Sequence, residues 1–352
     1  MSKQEVSFFW FRRDLRLEDN VGLFHALQSK YRVIPLFIFD DAILDSLPKN
    51  DARVGFIHES LSKINTQLNE IGSSILIKKG KTQTVWQELI TEFDLKEVFF
   101  NKDYEPFAIQ RDLAVCELLE SNKIISYSFK DQVIFEEKEI TKADGLPYTV
   151  YTPYKNKWLE KYKSMAPVQE YDTGTSFSNF FKSNFLFPTL DQIGFEESPI
   201  KVKPHNLTQI ANYHETRDFP AADSTSYLSP HLRFGTVSIR KLVNWAVRKN
   251  DVFLSELIWR EFFMQILFSF PKVVDRNFKS AYDGIQWRNN EEDFKRWCTG
   301  TTGYPMVDAG MRQLNETGYM HNRVRMVVAS FLCKHLLIQW QWGEAYFAEK
   351  LL

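Results

Sequence analysis

Five short, nearly continuous apolar runs recur through the first 130 residues: VSFFWF from position 6, VIPLFIF at 33–39, SILIK at 74–78, EVFFN at 97–101 and IISYS at 124–128. Longer stretches with helical periodicity separate them. A strand that is apolar along its whole length has to be covered on both faces, and strands alternating with helix-length segments are joined by crossovers. The pattern predicts a doubly wound, Rossmann-like parallel sheet, an α/β domain over residues 1–130. No G-x-G-x-x-G is present, so nothing here specifies a dinucleotide. Arg12, Arg13, Asp14 and Arg16 follow the first run, at the end of the sheet where such folds place ligand loops. The other reading of these four is a cluster of ion pairs that supports a domain interface.

Between 131 and 204 the periodicity fades, interrupted by Pro, Ser, Asn, Gly and Phe as in TGTSFSNFFKSNFLFPT. This predicts an interdomain connection wrapped over the surface. From 205 to 352 the pattern is helical, so the second domain is expected to be all-α. With 352 residues, 44% of them hydrophobic, the chain can bury the cores of two domains. No apolar run is long enough to span a bilayer, and the opening MSKQEV lacks a signal-peptide core. A soluble, cytoplasmic protein with no membrane partner is expected. Cys116, Cys298 and Cys333 show no C-x-x-C spacing, and the seven histidines show no H-x-x-x-H, which argues against both a disulfide framework and a metal site. Net charge is -1 but unevenly spread: residues 1–200 carry 24 Lys and Arg against 30 Asp and Glu, and residues 201–352 carry 20 against 15. A basic C-terminal part fits a phosphate-bearing partner.

Three stretches of that part carry chemistry. TSYLS at 225–229 places hydroxyls and turn residues ahead of a helix over 238–249, which suits either a phosphate cradle or a helix cap. In a helix over 255–270, Glu256, Trp259, Arg260 and Phe263 fall at i, i+3, i+4 and i+7 and share a face. An acid, an indole and a guanidinium make a poor core and a good pocket wall. The acid can accept hydrogen bonds from a base edge, the indole can stack on an extruded base, and the arginine can hold a phosphate or a flavin. Residues 303–342 read as two helices joined by ETGYMHN, with Gly318 ending the first. The second opens with HNRVRM at 321–326 and continues apolar through Val327, Val328, Phe331, Leu332, Leu336 and Leu337, so it is expected to be mostly buried. Two arginines in its opening turn carry the wrong sign for the helix dipole and call for an anion beside them, either a phosphate-bearing ligand or core carboxylates that pair with them.

ELIWREF at 256–262, TSYLS at 225–229, FWFRRDLR at 9–16 and the 303–342 stretch stand in the order found in the DNA photolyase and cryptochrome family, which this chain closely resembles from about Val6 to Leu352. Within that family it looks most like the class I enzymes for cyclobutane pyrimidine dimers. The resemblance implies FAD as cofactor, UV-damaged DNA as partner, a monomer, and light-driven repair by electron transfer from reduced FAD. It implies FAD contacts at Tyr213, Thr225, Ser226, Tyr227, Leu228, Ser229, Arg260 and Arg325. Glu256, Trp259, Asn322 and Met326 match positions that touch the flipped dimer, Asn322 and Met326 being those that set cyclobutane repair apart from the family's other activities. Asn322 as a helix cap and Met326 as core filler stay open. Arg217, Arg260, Phe263 and Arg323 join Glu256, Trp259 and Asn322 on the DNA side, while Trp287 and Trp340 match two members of a chain of three tryptophans that reduces the flavin. The RRDLR stretch is structural in the family.

The same resemblance raises a second, antenna chromophore. Phe107 and Ala108 stand where folate-using members have Asn and Glu after the dipeptide seen here as Tyr104-Glu105. The missing carboxylate puts folate in doubt and sets a flavin, a deazaflavin or no antenna on an equal footing with it. The alternatives to repair are a cryptochrome-like blue-light photoreceptor and an inactive flavin- or nucleotide-binding module. The family continues past position 352 into an aspartate-rich turn, an asparagine beside the flavin ring and a Gly-Trp-Gln-Trp segment. On that ground Arg325 is expected to lack a carboxylate partner, the last helix to leave its apolar face open, and the 352 residues to bind FAD weakly, aggregate readily and repair poorly.

Overall fold

A computed structural model describes residues 3–352. Strands β1 (Glu5–Phe11), β2 (Arg32–Asp40), β3 (Leu76–Gly80), β4 (Asp94–Asn101) and β5 (Ile125–Phe129) form one sheet in the order β3-β2-β1-β4-β5, every pair parallel. Helices α1 (Val21–Leu27), α2 (Asp41–Leu44), α3 (Ala52–Glu70), α4 (Thr82–Glu92) and α5 (Pro106–Ser121) fill the crossovers. Side chains alternate across a strand, so β1 serves two cores. Phe9 and Phe11 pack with Leu61 and Ile64 of α3 on one face, and Phe8 and Trp10 pack with Trp86 of α4 and Val115 of α5 on the other. The third strand begins two residues later than the apolar run suggests. Ser74 is drawn away by the 181–185 segment: the Phe185 amide donates to its hydroxyl at 2.7 Å, and Ser183 Oγ lies 2.9 Å from it.

The stretch after β5 departs from a surface connection in its first half. Helix α6 (Tyr151–Met165) buries Tyr154, Trp158 and Tyr162, and with Ile134, Phe135 and Ile140 these enter the core of the helical part. The spacing of three aromatics at i, i+4 and i+8 marks one helix face; the polar residues between them hid it. The second half does run along the sheet, with Phe180 buried against the α3 side. The helical part adds α7 (Tyr213–Thr216), α8 (Leu228–Arg233), α9 (Ile239–Ala246), α10 (Asp251–Ser269), α11 (Glu291–Thr299), α12 (Pro305–Thr317), α13 (Asn322–Lys334) and α14 (Trp340–Lys350). Ser238 caps α9 and Asn250 caps α10 through side chains that accept backbone N–H groups. Gly318 ends α12 at φ +71, a conformation glycine adopts without strain.

Where sheet and helices meet, the arginine cluster after β1 is mostly structural. Buried Arg16 and Arg240 both hold Asp131, at 2.7 and 2.8 Å, and Arg240 also reaches Asp19. Burial works to raise the Asp131 pKa, and the two guanidiniums outweigh it and hold it below the usual carboxylate value. Arg12 pairs with Asp112 and lies over the Trp10 and Phe100 rings. Of these arginines, Arg13 lines a cavity of the helical part.

Two expectations for the C-terminal helices change. Helix α13 buries Val324, Val328, Phe331 and Leu332 but leaves Val327 exposed; it ends at Lys334, and Leu337 lies exposed beyond it. One face rather than the whole helix packs, because only the 3.6-residue stripe can meet α12. The leucines after α14 are also covered. Leu352 is buried on Gly318, its amide donating to the Gly318 carbonyl at 3.1 Å.

Candidate active site

Helix α10 is the wall from which the site is built. Its position is set by Glu261, a fully buried carboxyl that accepts from the amides of Ile134 (2.7 Å) and Phe135 (3.2 Å), the Trp158 indole (2.7 Å) and the Tyr154 hydroxyl (3.3 Å). Burial pushes its pKa up to about 7, against the pull of these donors. The residue before it, Arg260, donates to the carbonyls of Gln132 (2.7 Å) and Leu232 (3.3 Å), and burial lowers its pKa to about 10. Its hydrogen bonds go to carbonyls, and the adjacent Glu261 carboxyl is the charge that chiefly offsets that of Arg260.

In front of it is a cavity of about 880 Å³, within the size range of small-molecule and cofactor sites. Tyr213, the whole 225–229 loop, Glu256, Arg260, Phe263, Asn322 and Arg325 line it, so eleven of the seventeen residues singled out from sequence converge on one space. Within the loop, Tyr227 sits at φ +52, an uncommon conformation for a non-glycine residue. Its hydroxyl donates to Asp223, and Lys203 Nζ lies 4.4 Å over its ring. The turn it forces leads directly into α8. Among the described residues the hydroxyls of Thr225 and Ser229 have no hydrogen-bond partner, and Arg325 donates only from Nε, to the Met320 carbonyl at 2.9 Å. Burial lowers the Arg325 pKa, and no carboxylate pairs with it among the described residues. Free hydroxyls and a guanidinium with open Nη groups are the donor set a pyrophosphate needs. The residues present therefore fit FAD.

The other six candidates lie outside the lining. Arg217 pairs with the lining residue Glu256 at 2.7 Å, Trp259 stacks near the lining residue Phe263, and Arg323 and Met326 neighbour the lining residues Asn322 and Arg325 along α13. Trp259 has Tyr151 of α6 stacked on one face, and Phe263 lies near-parallel to it at 5.4 Å. Met326 is 65% exposed, which removes its reading as core filler. The cap of α13 is His321, whose ring accepts from the Arg323 amide at 3.2 Å; Asn322 is the first helical residue, and its side chain makes no capping bond among the described residues. Trp287 and Trp340 are not in the lining, but their segments are tied together. The Arg288 amide donates to the Leu337 carbonyl at 2.8 Å, and the Gln339 amide to Asn289 Oδ1 at 2.9 Å.

Glu105 and Arg233, not singled out from sequence, also line the cavity, as does Arg13, for which the sequence offers either a ligand loop or an ion-pair cluster. Arg13 and Glu105 form an ion pair at 2.5 Å, whereas Arg233 has no ion pair among the described residues, and burial beside Arg13 and Arg53 pushes its pKa down to about 10. Helical spacing from Ser229 to Arg233 was a signal for the last of these. Nothing local marks Glu105, which arrives with Arg13 from the sheet domain. No cluster of His, Cys, Asp and Glu able to hold a metal occurs among the described residues, nor any helix long and apolar enough to cross a membrane.

With this geometry in place, comparison with known proteins is direct. Residues 7–172 match the family described as DNA photolyase, and residues 253–352 match the FAD binding domain of DNA photolyase. Over 97% of its length the chain is 35% identical to the deoxyribodipyrimidine photo-lyase of Agrobacterium fabrum, covering 76% of that protein, and it is 32% identical to that of Escherichia coli, covering 78%. Among solved structures, an archaeal photolyase from Sulfolobus tokodaii with two FAD molecules superposes with a TM-score of 0.83 at 34% identity, over 99% of this chain and 79% of that one. A Synechocystis cryptochrome superposes with a TM-score of 0.81 at 22% identity, a likeness of fold alone.

Proposed function

The chain belongs to the DNA photolyase family, and we propose that it repairs cyclobutane pyrimidine dimers in UV-damaged DNA under light, with FAD held in the helical cavity. The observation that carries this reading is the convergence of Tyr213, the 225–229 loop, Glu256, Arg260, Asn322 and Arg325 on one space. The hydroxyls of Thr225 and Ser229 and the Arg325 guanidinium hold the diphosphate, and Arg260 keeps a fixed positive charge in the wall. FAD, when bound, supplies light absorption and the electron whose transfer to the dimer opens the cyclobutane ring. At the mouth, Glu256 accepts hydrogen bonds from the flipped base edge, Trp259 and Phe263 give it apolar surface, Asn322 and Met326 contact its other side, and Arg217 and Arg323 take phosphates. Trp287 and Trp340 carry electrons inward from the surface.

The same reading makes the protein a cytoplasmic monomer. A second, light-harvesting chromophore is compatible with it; Phe107 is exposed at the start of α5, and that position offers no carboxylate for a folate. The test is repair of an oligonucleotide carrying one thymine dimer, in light and in darkness, beside an absorption spectrum of the purified protein. Light-dependent loss of the dimer together with flavin absorbance is the expected result. A flavin-loaded protein that repairs nothing would shift the reading to a photoreceptor, and absence of flavin absorbance would remove both.

A further inference from the structure

The two arginines assigned above to phosphate are paired with carboxylates. Arg217 Nη1 lies 2.7 Å from Glu256 Oε1, and its Nε lies 3.7 Å from Asp218 Oδ1. That same Asp218 oxygen accepts from Arg323, from Nε at 2.8 Å and Nη2 at 2.7 Å. Glu256, Arg217, Asp218 and Arg323 thus form a row of alternating charge from the cavity wall to the start of α13. Burial works against the Arg217 charge and the Glu256 carboxylate outweighs it, holding the arginine's pKa above its ordinary value. The outer pair is different. Asp218 is 56% and Arg323 53% exposed, so their bond adds little stability and exchanges readily with solvent.

We propose that Asp218 is a specificity-determining residue, one that suppresses binding to undamaged DNA by neutralising Arg217 and Arg323. Non-specific affinity comes almost wholly from phosphate neutralisation and counterion release. A carboxylate within hydrogen-bond distance of one phosphate-binding arginine, and close to the next, cancels part of that term, because an incoming phosphate has to displace it or approach it. Undamaged duplex offers nothing in return: if phosphate takes Arg217, Glu256 is left without its partner at the cavity wall. A flipped dimer supplies the missing donors, since its base edge presents N–H groups to Glu256 as Arg217 turns to phosphate. Discrimination then arises from an unpaired charge imposed on the wrong ligand. The inference rests on the reading above that this face takes DNA.

The test measures dark binding of the wild-type chain, Asp218→Asn and Asp218→Glu to one duplex with and without a single thymine dimer, between about 50 and 200 mM salt. Asp218→Asn should bind undamaged duplex about five- to tenfold more tightly at low salt, with a salt slope steeper by about one. Its affinity for damaged duplex should rise less, so the ratio between the two falls. Asp218→Glu should keep the wild-type ratio. Asp218→Ser, with the same expected direction, serves if the asparagine variant melts early. Undamaged-duplex affinity that is unchanged or lower in a variant melting like wild type would overturn the proposal and leave Asp218 as a brace for the arginines. Wild-type protein that binds neither duplex would overturn the DNA reading itself, and this proposal with it.

Discussion

The ring of Tyr151 lies face to face on the indole of Trp259, centroids 3.6 Å apart and planes 7° from parallel. The Tyr151 hydroxyl donates to the Ser255 carbonyl at 2.8 Å, so the tyrosine is fixed at both ends to α10. One face of the indole is therefore covered by the tyrosine, and under the proposed function a flipped base would meet the remaining surface. If that ring is a stacking platform, Trp259→Ala should weaken damaged-DNA binding by about 1–3 kcal/mol, measured by fluorescence anisotropy, with flavin content unchanged. Tyr151→Leu should cost less, since it loosens the platform without removing it. Parallel loss of flavin or of folded protein in Trp259→Ala would make the indole a core residue.

Arg325 supplies the clearest test of the cofactor pocket. Its single bond to the Met320 carbonyl leaves the remaining donors to a ligand. A charge-assisted hydrogen bond contributes about 1.5–3 kcal/mol, so Arg325→Ala should lower FAD affinity about tenfold or more. Flavin absorbance per protein after gel filtration, read against a titration with added FAD, measures it. Affinity equal to wild type would take Arg325 out of the pocket.

Electron supply separates from repair. Trp340 donates its indole N–H to Asn277 at 2.7 Å, and the 288–289 backbone is bonded to the turn just before it. Trp287→Phe should abolish photoreduction by external donors while sparing repair once the flavin has been reduced chemically. Loss of both would mean that the substitution has damaged the fold, which a thermal melt would show.

Asp131 sets an acid limit on stability. Its folded pKa is depressed by Arg16 and Arg240 despite burial, so the stability it contributes is fully present above the unfolded value of about 3.9 and is lost as pH falls through the lower folded value. Asp131→Asn leaves two buried guanidiniums without their shared charge and should cost about 3–5 kcal/mol at neutral pH. Urea unfolding at pH 7 and at about pH 3 tests the sign: the gap between wild type and variant should narrow in acid. A gap that stays constant would mean the carboxyl is protonated at both pH values or unimportant at both.

The sequence by itself determined whatever depends on neighbours a few positions apart. Continuous apolar runs located the five strands, Ser238 and Gly318 marked helix ends, and the i, i+3, i+4, i+7 spacing put Glu256, Arg260 and Phe263 on one wall, because each of these follows from backbone periodicity and local capping. The order of motifs carried the family and its FAD. Only the tertiary structure decided that Trp259 has a tyrosine on its face, that Arg13, Glu105 and Arg233 join the cavity, that α6 belongs to the helical core, and that one Asp218 oxygen serves two arginines. Those contacts join residues up to about a hundred positions apart or more, as Asp218 and Arg323 do. They depend on how helices cross and which side chain wins a shared partner, quantities set by packing volume and charge balance over the whole molecule and absent from any short window of sequence.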